Sequence, residues 1–214
     1  MESAATMTLT ARRFLLWIDG VGGYLVCPHD EVRIGQALPD SDVEIPIRGE
    51  LARHQLSLRR TAEGYIASPV PSQSPGVEIA SISGQPVTSA ALLKDGDILQ
   101  LGSQVKLRFR KPHPLSSSAR LDFLTSHRTL PYADSILLMA ETCILGPKGQ
   151  SHVVCAEWQE EAILIRQQQQ LFFKSARPFK VGGAPQEGKV PLPENSQVSG
   201  PDFCFALEPV DAPA

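Results

Sequence analysis

The sequence predicts an all-β protein built as two tandem antiparallel β-sandwiches. Short apolar or alternating runs recur along the 214 residues, and glycine-containing turns such as Asp19-Gly20 and Ser83-Gly84 separate them. Almost no stretch combines the length of a helix with its period of 3.6 residues. A chain of this length can hold two domains of about 100 residues, each with a workable core.

The runs that open and close the first half illustrate the strand assignments. "RFLLWI" and "GYLVC" come first, and each has the length of one strand. In "VKLRFR", Val105 to Arg110, apolar and basic side chains alternate, and alternate side chains of a strand face opposite sides of its sheet. We therefore predict a half-buried antiparallel strand there, with its basic row in solvent.

The chain repeats its order of motifs. Ile34-Gly35 corresponds to Leu145-Gly146, and "GDILQLGSQVKLRF" in the first half corresponds to "NSQVSGPDFCFAL" in the second. We therefore predict two domains, residues 12–112 and residues 119–211. The polar stretch "HPLSSSA", residues 113–119, would be a short joint between packed neighbours.

Composition excludes several classes of function. The net charge is -3 and the pI is near 6.0, so the chain has no overall field that would attract nucleic acid. The start, "MESAATMTLT", lacks the basic and apolar regions of a leader, and no run approaches the roughly 18 apolar residues of a membrane helix. The four cysteines form no CxxC pair, so we expect reduced thiols in a cytoplasmic protein without a membrane partner.

Catalytic motifs do not occur in the sequence either. There is no phosphate-binding glycine loop and no zinc-ligand spacing. In "HVVC", His152 and Cys155 fall on opposite faces of a strand, which does not suit a shared metal or a pair of nucleophile and base. We expect no enzymatic activity, no cofactor and no metal.

Four segments of the first half carry a family resemblance. They are Ile34-Gly35, Ala52 to Gln55, Ser83 to Val87, and Leu93 to Gly102, which has the form L-x-D-G-D-x-L-x-L-G. Together they resemble the forkhead-associated (FHA) domains over roughly residues 12 to 111. The resemblance implies a β-sandwich whose loops at one end bind phosphothreonine peptides. The second half resembles the family only through the first.

The resemblance also implies a phosphopeptide site at one end of the first domain. Its residues would be Gln36, Arg53, His54, Ser74 and Ser83. The chain departs from the family pattern at Gln36, where the family has arginine, and at Ala52, where it has serine. Gln55 matches the family's buried histidine, and the family's asparagine near Ser74 is replaced. A phosphate needs several converging donors, and Arg53 is the clearest one that the chain keeps.

These observations leave two functions open. The first is an adaptor that binds phosphothreonine segments in Ser/Thr kinase signalling, with a kinase or its substrate as the phosphorylated partner. The alternative is a phosphate-independent docking scaffold or assembly subunit on the same fold. In both cases we expect the first domain to bind the partner and the second to be a degenerate structural copy. Only the adaptor would prefer a phosphorylated peptide over its unphosphorylated twin.

Overall fold

The structure is a computed structural model that describes residues 12–70, 80–167 and 170–210. Those residues form strands, turns and loops and contain no helix, so the predicted all-β class is confirmed. The same part of the chain accordingly offers no helix that could cross a membrane. Cys27, Cys143 and Cys155 are buried free thiols, and burial raises the pKa of Cys27 and of Cys155 to about 12.

The described residues contain twenty strands, eleven before the joint and nine after it. The first eleven are β1 (Phe14–Ile18), β2 (Gly22–Cys27), β3 (Glu31–Gln36), β4 (Ile45–Ile47), β5 (Leu56–Thr61), β6 (Gly64–Pro69), β7 (Ser81–Ile82), β8 (Gln85–Pro86), β9 (Ala91–Leu92), β10 (Ile98–Leu101) and β11 (Val105–Arg110). The other nine are β12 (Ala119–Phe123), β13 (Ser135–Leu138), β14 (Thr142–Gly146), β15 (Val153–Val154), β16 (Ala162–Gln167), β17 (Gln170–Val181), β18 (Ala184–Leu192), β19 (Gln197–Ser199) and β20 (Cys204–Pro209).

The strands form one sheet of fifteen and one sheet of five. The small sheet has the order β4-β3-β5-β6-β9. The large sheet has the order β15-β14-β16-β17-β19-β20-β1-β2-β13-β12-β11-β10-β7-β8, and β18 pairs with β17 beside this path. The middle of the large sheet therefore contains the first hairpin of each half, β1–β2 and β12–β13.

Reciprocal strand pairing joins the two halves. β11, the last strand of the first half, pairs antiparallel with β12, which places Phe109 opposite Leu121. β20, the last strand of the second half, pairs antiparallel with β1 in the same way. Between these pairs β2 and β13 run parallel, with Leu25 opposite Ile136. The closing strand of each half is therefore continued by the opening hairpin of the other half.

Two apolar cores lie on opposite faces of the β1–β2 hairpin. Leu15 and Leu25 belong to a core that also contains residues of the small sheet, of β11 and of β12. Phe14, Leu16 and Val26 belong to a core built largely from β14 to β20. Successive side chains of a strand point to opposite faces, so one hairpin serves both cores. Each fully buried leucine contributes about 1.5–3 kcal/mol, and β1 thus stabilises both halves at once.

The order of strand pairing repeats between the halves. β3 pairs with β4 in parallel and with β5 antiparallel, and β14 pairs with β15 and β16 in the same two senses. Hairpins β10–β11 and β19–β20 close the two halves. The division into domains 12–112 and 119–211 stays a prediction, because the pairs β11–β12 and β1–β20 cross it.

His113 of the joint stacks on His152, a buried histidine of the second half. His152 has no exposed surface, and its ring lies 6.3 Å from the ring of His113 between centroids. Its Nδ1 accepts a hydrogen bond from the backbone N of Ile144 at 2.9 Å, and Arg120 donates to its carbonyl oxygen at 2.6 Å. Burial, followed by the charges of His113 and Arg120, lowers the pKa of His152 to about 4.

We expect this histidine to make the folded chain less stable in mild acid. The unfolded histidine takes up its proton near pH 6.5 and the folded one only near pH 4, so the free energy of unfolding should fall as the pH drops between these values. Urea unfolding at pH 7 and pH 4.5 should show a loss about 1–3 kcal/mol larger for the wild type than for His152→Asn. Equal losses in the two proteins would contradict this role of His152.

Candidate functional site

The β3–β4 loop, residues 37–44, and the β4–β5 loop, residues 48–55, meet at one end of the small sheet. The backbone N of Gln36 donates to the carbonyl oxygen of Ala52 at 2.9 Å. The end of β3 is so close to the β4–β5 loop that a Cβ atom added at Gly35 would lie 1.8 Å from the carbonyl oxygen of Arg53. Only glycine at position 35 allows the β4–β5 loop to approach this closely.

A buried glutamine holds the β4–β5 loop from inside. Gln55 is 6% exposed, and its Oε1 accepts a hydrogen bond from the backbone N of Ala52 at 2.9 Å. The backbone N of Gln55 donates to the carbonyl oxygen of Ile34 at 2.8 Å. Gln55 thus braces the loop at the position where the FHA resemblance implies a buried histidine. Ala52 is itself buried, so this position has no exposed side chain to offer a ligand.

The predicted basic residues of the site are paired with carboxylates of the β3–β4 loop. Arg53 Nη2 lies 2.6 Å from Asp40 Oδ2, and Arg53 Nη1 donates to the carbonyl oxygen of Asp40 at 3.1 Å. His54 Nε2 lies 2.5 Å from Asp42 Oδ1. The hydrogen bond from Arg53 holds the pKa of Asp40 below its usual range, and the contact with His54 does the same for the pKa of Asp42.

A further arginine from β3 joins this network. Arg33 Nη1 lies 3.0 Å from Asp42 Oδ2, and Arg33 Nη2 lies 3.3 Å from Glu44 Oε1. Hydrogen bonding to Glu44 raises the pKa of Arg33. Three carboxylates therefore face two arginines and one histidine, and the cluster carries no excess positive charge.

Two hydrogen bonds from side chains to backbone carbonyl oxygens hold the β3–β4 loop in place. Arg13, which precedes β1, donates from Nη1 to the carbonyl oxygen of Glu44 at 2.8 Å. Ser41 Oγ donates to the carbonyl oxygen of Gln36 at 3.1 Å. The β3–β4 loop is thus fixed at both of its ends beside the β4–β5 loop.

The structure brings together part of the predicted site. Gln36, Arg53 and His54 lie on adjoining segments at the same end of the small sheet. Ser83 lies in the β7–β8 turn, where its Oγ donates to Asp97 Oδ1 at 2.9 Å, and its described hydrogen bonds do not reach the β4–β5 loop. Ser74 lies outside the described residues.

Sequence reasoning missed the carboxylates that occupy the site. Asp40, Asp42 and Glu44 form the alternating run "DSDVE", which directly precedes β4. That run, so close to a cluster of basic residues, was the available signal for local charge pairing. Within the described ranges, no three side chains of histidine, cysteine, aspartate or glutamate are grouped so that they could hold a metal ion.

Comparison with known proteins gives matches to solved structures alone. No protein-family model matches the chain, and no curated protein matches it. The FHA-2 domain of an ABC transporter from Mycobacterium tuberculosis is 26% identical over 38% of this chain and 68% of that chain, with a TM-score of 0.26. An FHA domain of an Arabidopsis thaliana protein is 14% identical over 48% of this chain and 87% of that chain, with a TM-score of 0.26.

A third solved structure belongs to the same group. It is an FHA domain described by its phosphothreonine-dependent interactions, 21% identical over 42% of this chain and 88% of that chain, with a TM-score of 0.26. The resemblance to FHA domains that the sequence motifs predict is confirmed as a partial likeness of fold.

We expect a methyl group at position 35 to displace the β4–β5 loop. Gly35→Ala should lower the free energy of unfolding by about 1–3 kcal/mol, because the new Cβ meets a backbone oxygen that cannot move alone. Gly149→Ala is the matched control, since nothing lies within 4 Å of its added Cβ, and it should change stability by less than about 0.5 kcal/mol. Equal urea midpoints for the two variants would contradict this tight contact.

Proposed function

We propose that this chain is a non-enzymatic protein-docking module whose contacts do not depend on a phosphate group at the β4–β5 loop. The observation that carries this proposal is the pairing of Arg53 with Asp40 and of His54 with Asp42. A ligand phosphate would have to displace both carboxylates to reach the two side chains that the FHA resemblance assigns to it.

Charge explains why that displacement is unfavourable. A phosphothreonine carries about -1.5 to -2 charges at neutral pH, and it binds where several donors converge. Here Asp40, Asp42 and Glu44 already supply the negative charge that Arg33 and Arg53 attract. The carboxylates would remain beside the phosphate after displacement and repel it. A docking surface made of strand edges and apolar contacts avoids this electrostatic repulsion.

One observation favours the phosphothreonine adaptor as a second candidate. The side chains of Arg53 and Asp40 are 47% and 69% exposed, and exposed ion pairs contribute little to stability. Arg53 could therefore exchange Asp40 for a phosphate at small cost. The partner would then be a phosphorylated kinase or kinase substrate in the cytoplasm.

Removing the two carboxylates that pair with Arg53 and His54 separates the two candidate functions. The full chain and its Asp40→Asn/Asp42→Asn variant are titrated calorimetrically with a peptide library that has one fixed phosphothreonine and with its unphosphorylated twin. We expect the wild type to bind the two libraries alike. We expect the variant to prefer the phosphorylated library by about tenfold, because the Arg53 guanidinium becomes available for charge-assisted hydrogen bonds to the phosphate and the His54 ring is no longer held by a carboxylate.

Asp95→Asn is the matched control, because Asp95 pairs with Arg110 at 3.2 Å and lies in the β9–β10 connection, outside the β3–β4 and β4–β5 loops. It should leave both titrations unchanged. A wild type that prefers the phosphorylated library by tenfold, and loses that preference in Arg53→Ala, would show that the chain is a phosphothreonine adaptor instead.

A further inference from the structure

A segment of the second half covers one sheet edge of the first half. The β12–β13 connection, residues 124–134, runs beside β4, and Thr129 forms an antiparallel bridge with Ile47. Two backbone hydrogen bonds flank the bridge, from Arg48 N to Arg128 O at 3.0 Å and from Leu130 N to Pro46 O at 2.9 Å. This segment therefore adds a short strand to the free edge of β4, and it contains the basic residues of "SHRTLP".

The corresponding edge in the second half is that of β15. Ile45 of β4 lies opposite Ile34, and Val153 of β15 lies opposite Leu145, so the two strands correspond residue by residue. Gly35 lies opposite Pro46 and Gly146 lies opposite Val154, so Pro46 corresponds to Val154. Counting on along the chain from this position, Ile47 corresponds to Cys155, Arg48 to Ala156 and Gly49 to Glu157. By this correspondence the carbonyl of Val154, at the end of β15, and the N–H of Ala156, in the turn that follows, take the places of the groups that bond to the covering segment of β4.

The hairpin next to β15 is too short to cover it. Three residues, 19–21, connect β1 to β2, whereas eleven residues, 124–134, connect β12 to β13. β15 is the last strand in the order of the large sheet, so its outer edge has no strand partner in the described part of the chain. A cavity of about 610 Å³ lies among the β1–β2 turn, the β15–β16 loop and the β19–β20 turn, and Val154 and Ala156 line it.

The cavity combines an aromatic wall with negative charge. The rings of Trp158 and Phe203 pack with their centroids 4.9 Å apart, and both residues line the cavity. Asp19 and Glu157 line it as exposed carboxylates. Asp202, the third acid, is paired within the protein to an arginine at 3.4 Å. The charge left for a ligand is therefore negative, and it favours a cationic side chain.

Glu157 occupies the place where the first half contacts a basic ring. A Cβ atom added at Gly49 would lie 3.1 Å from the ring of His127, so the covering segment passes directly over this position. Gly49 corresponds to Glu157 in the second half. A basic side chain of a segment bound at this edge would therefore meet the carboxylate of Glu157, in the turn after β15.

The β4–β5 loop and the β15–β16 loop also differ in charge. Leu56 lies opposite Ile34 at the start of β5, and Ala162 lies opposite Leu145 at the start of β16. Counting back from these two positions, Arg53 and His54 correspond to Gln159 and Glu160. The second half thus replaces two basic residues by a neutral and an acidic one, and the β15–β16 loop, residues 155–161, contains no basic residue.

The residues outside the description offer no basic segment for the cavity. Residues 1–11, 71–79, 168–169 and 211–214 contain no lysine, arginine or histidine. None of them can supply the cation that the cavity favours, which points to a segment of a partner protein.

We propose that the outer edge of β15 and the adjoining cavity bind an extended basic segment of a partner protein. The segment adds to β15 as residues 128–130 add to β4, accepting a hydrogen bond from Ala156 N and donating one to the Val154 carbonyl. Its arginine or lysine side chain lies between Glu157 and Asp19. This inference rests on the proposed docking function, and it assigns the partner contact to the second half instead of the first.

The test uses the full chain and two capped hexapeptides, SRRTLP and SEETLP, which keep the backbone of the covering segment and differ in charge. Calorimetric titration should give at least tenfold tighter binding of SRRTLP, and raising the salt concentration should narrow the difference. Amide NMR shifts on adding SRRTLP should concentrate at residues 154–158 and 19–21. Equal affinities for the two peptides, or no binding of SRRTLP at about 1 mM, would overturn the proposal.

Variants locate the site independently of the peptide chemistry. Glu157→Lys should weaken SRRTLP binding about tenfold, and Ala156→Pro should weaken it without a change of charge, since it removes the outward N–H. Glu63→Lys, an exposed acid in the β5–β6 turn, is the matched control and should bind as the wild type does. Both peptides lack phosphate, so failure of this test is distinguishable from failure of the proposed phosphate independence. Unchanged binding by Glu157→Lys, with shifts at residues 37–55, would refute the assignment.

Discussion

The pairing of each half's last strand with the other half's first strand determines the rest of the structure. β11 continues into β12 and β20 continues into β1, so the opening hairpins lie side by side in the centre of one sheet. Both faces of β1 are then buried, because its alternate side chains enter different cores. The two halves have similar strand orders, but neither half is stabilised alone, because both cores use the β1–β2 hairpin.

This arrangement also decides what each half exposes. Each hairpin connection lies beside the loops of the other half, so its length sets how much of that half it covers. The eleven residues of the β12–β13 connection reach β4 and pair with it, and the three residues of the β1–β2 turn leave β15 uncovered in the described structure. The first half thus has basic loops paired with its own acids, and the second half has an open edge next to unpaired acids. A docking surface in the second half follows from this difference in connection length.

The sequence predicted the strands well because their signal is local. In "VKLRFR", Val105, Leu107 and Phe109 are buried and the residues between them are not, as the alternation predicts. Ser83-Gly84, predicted as a turn, likewise lies between β7 and β8. The partner of each strand is a long-range property that alternation does not encode, so the pairing of β11 with β12 could not be predicted. One signal did exist, since "FLLWI" is apolar at every position, as expected for a strand with both faces buried.

The site was predicted only in part, for a related reason. Gly35 and Arg53 carry the motif of the loop, and the structure places them in contact. Whether Arg53 is available depends on Asp40, thirteen residues away, and that ion pair forms through the packing of two loops. Residue types around a motif reveal that opposite charges are near in sequence. They do not reveal which side chains meet.

The most direct test of the shared architecture is amide hydrogen exchange of the Phe205→Ala chain in increasing urea. Phe205 is buried in the second core and pairs with Ile18 of β1, and truncation of such a residue costs about 3–5 kcal/mol. If the hairpins join the halves into one cooperative unit, the amides of β5–β6 and of β16–β17 should lose protection at the same, lowered urea concentration. Loss of protection in β16–β17 alone, with β5–β6 unchanged from the wild type, would contradict the account.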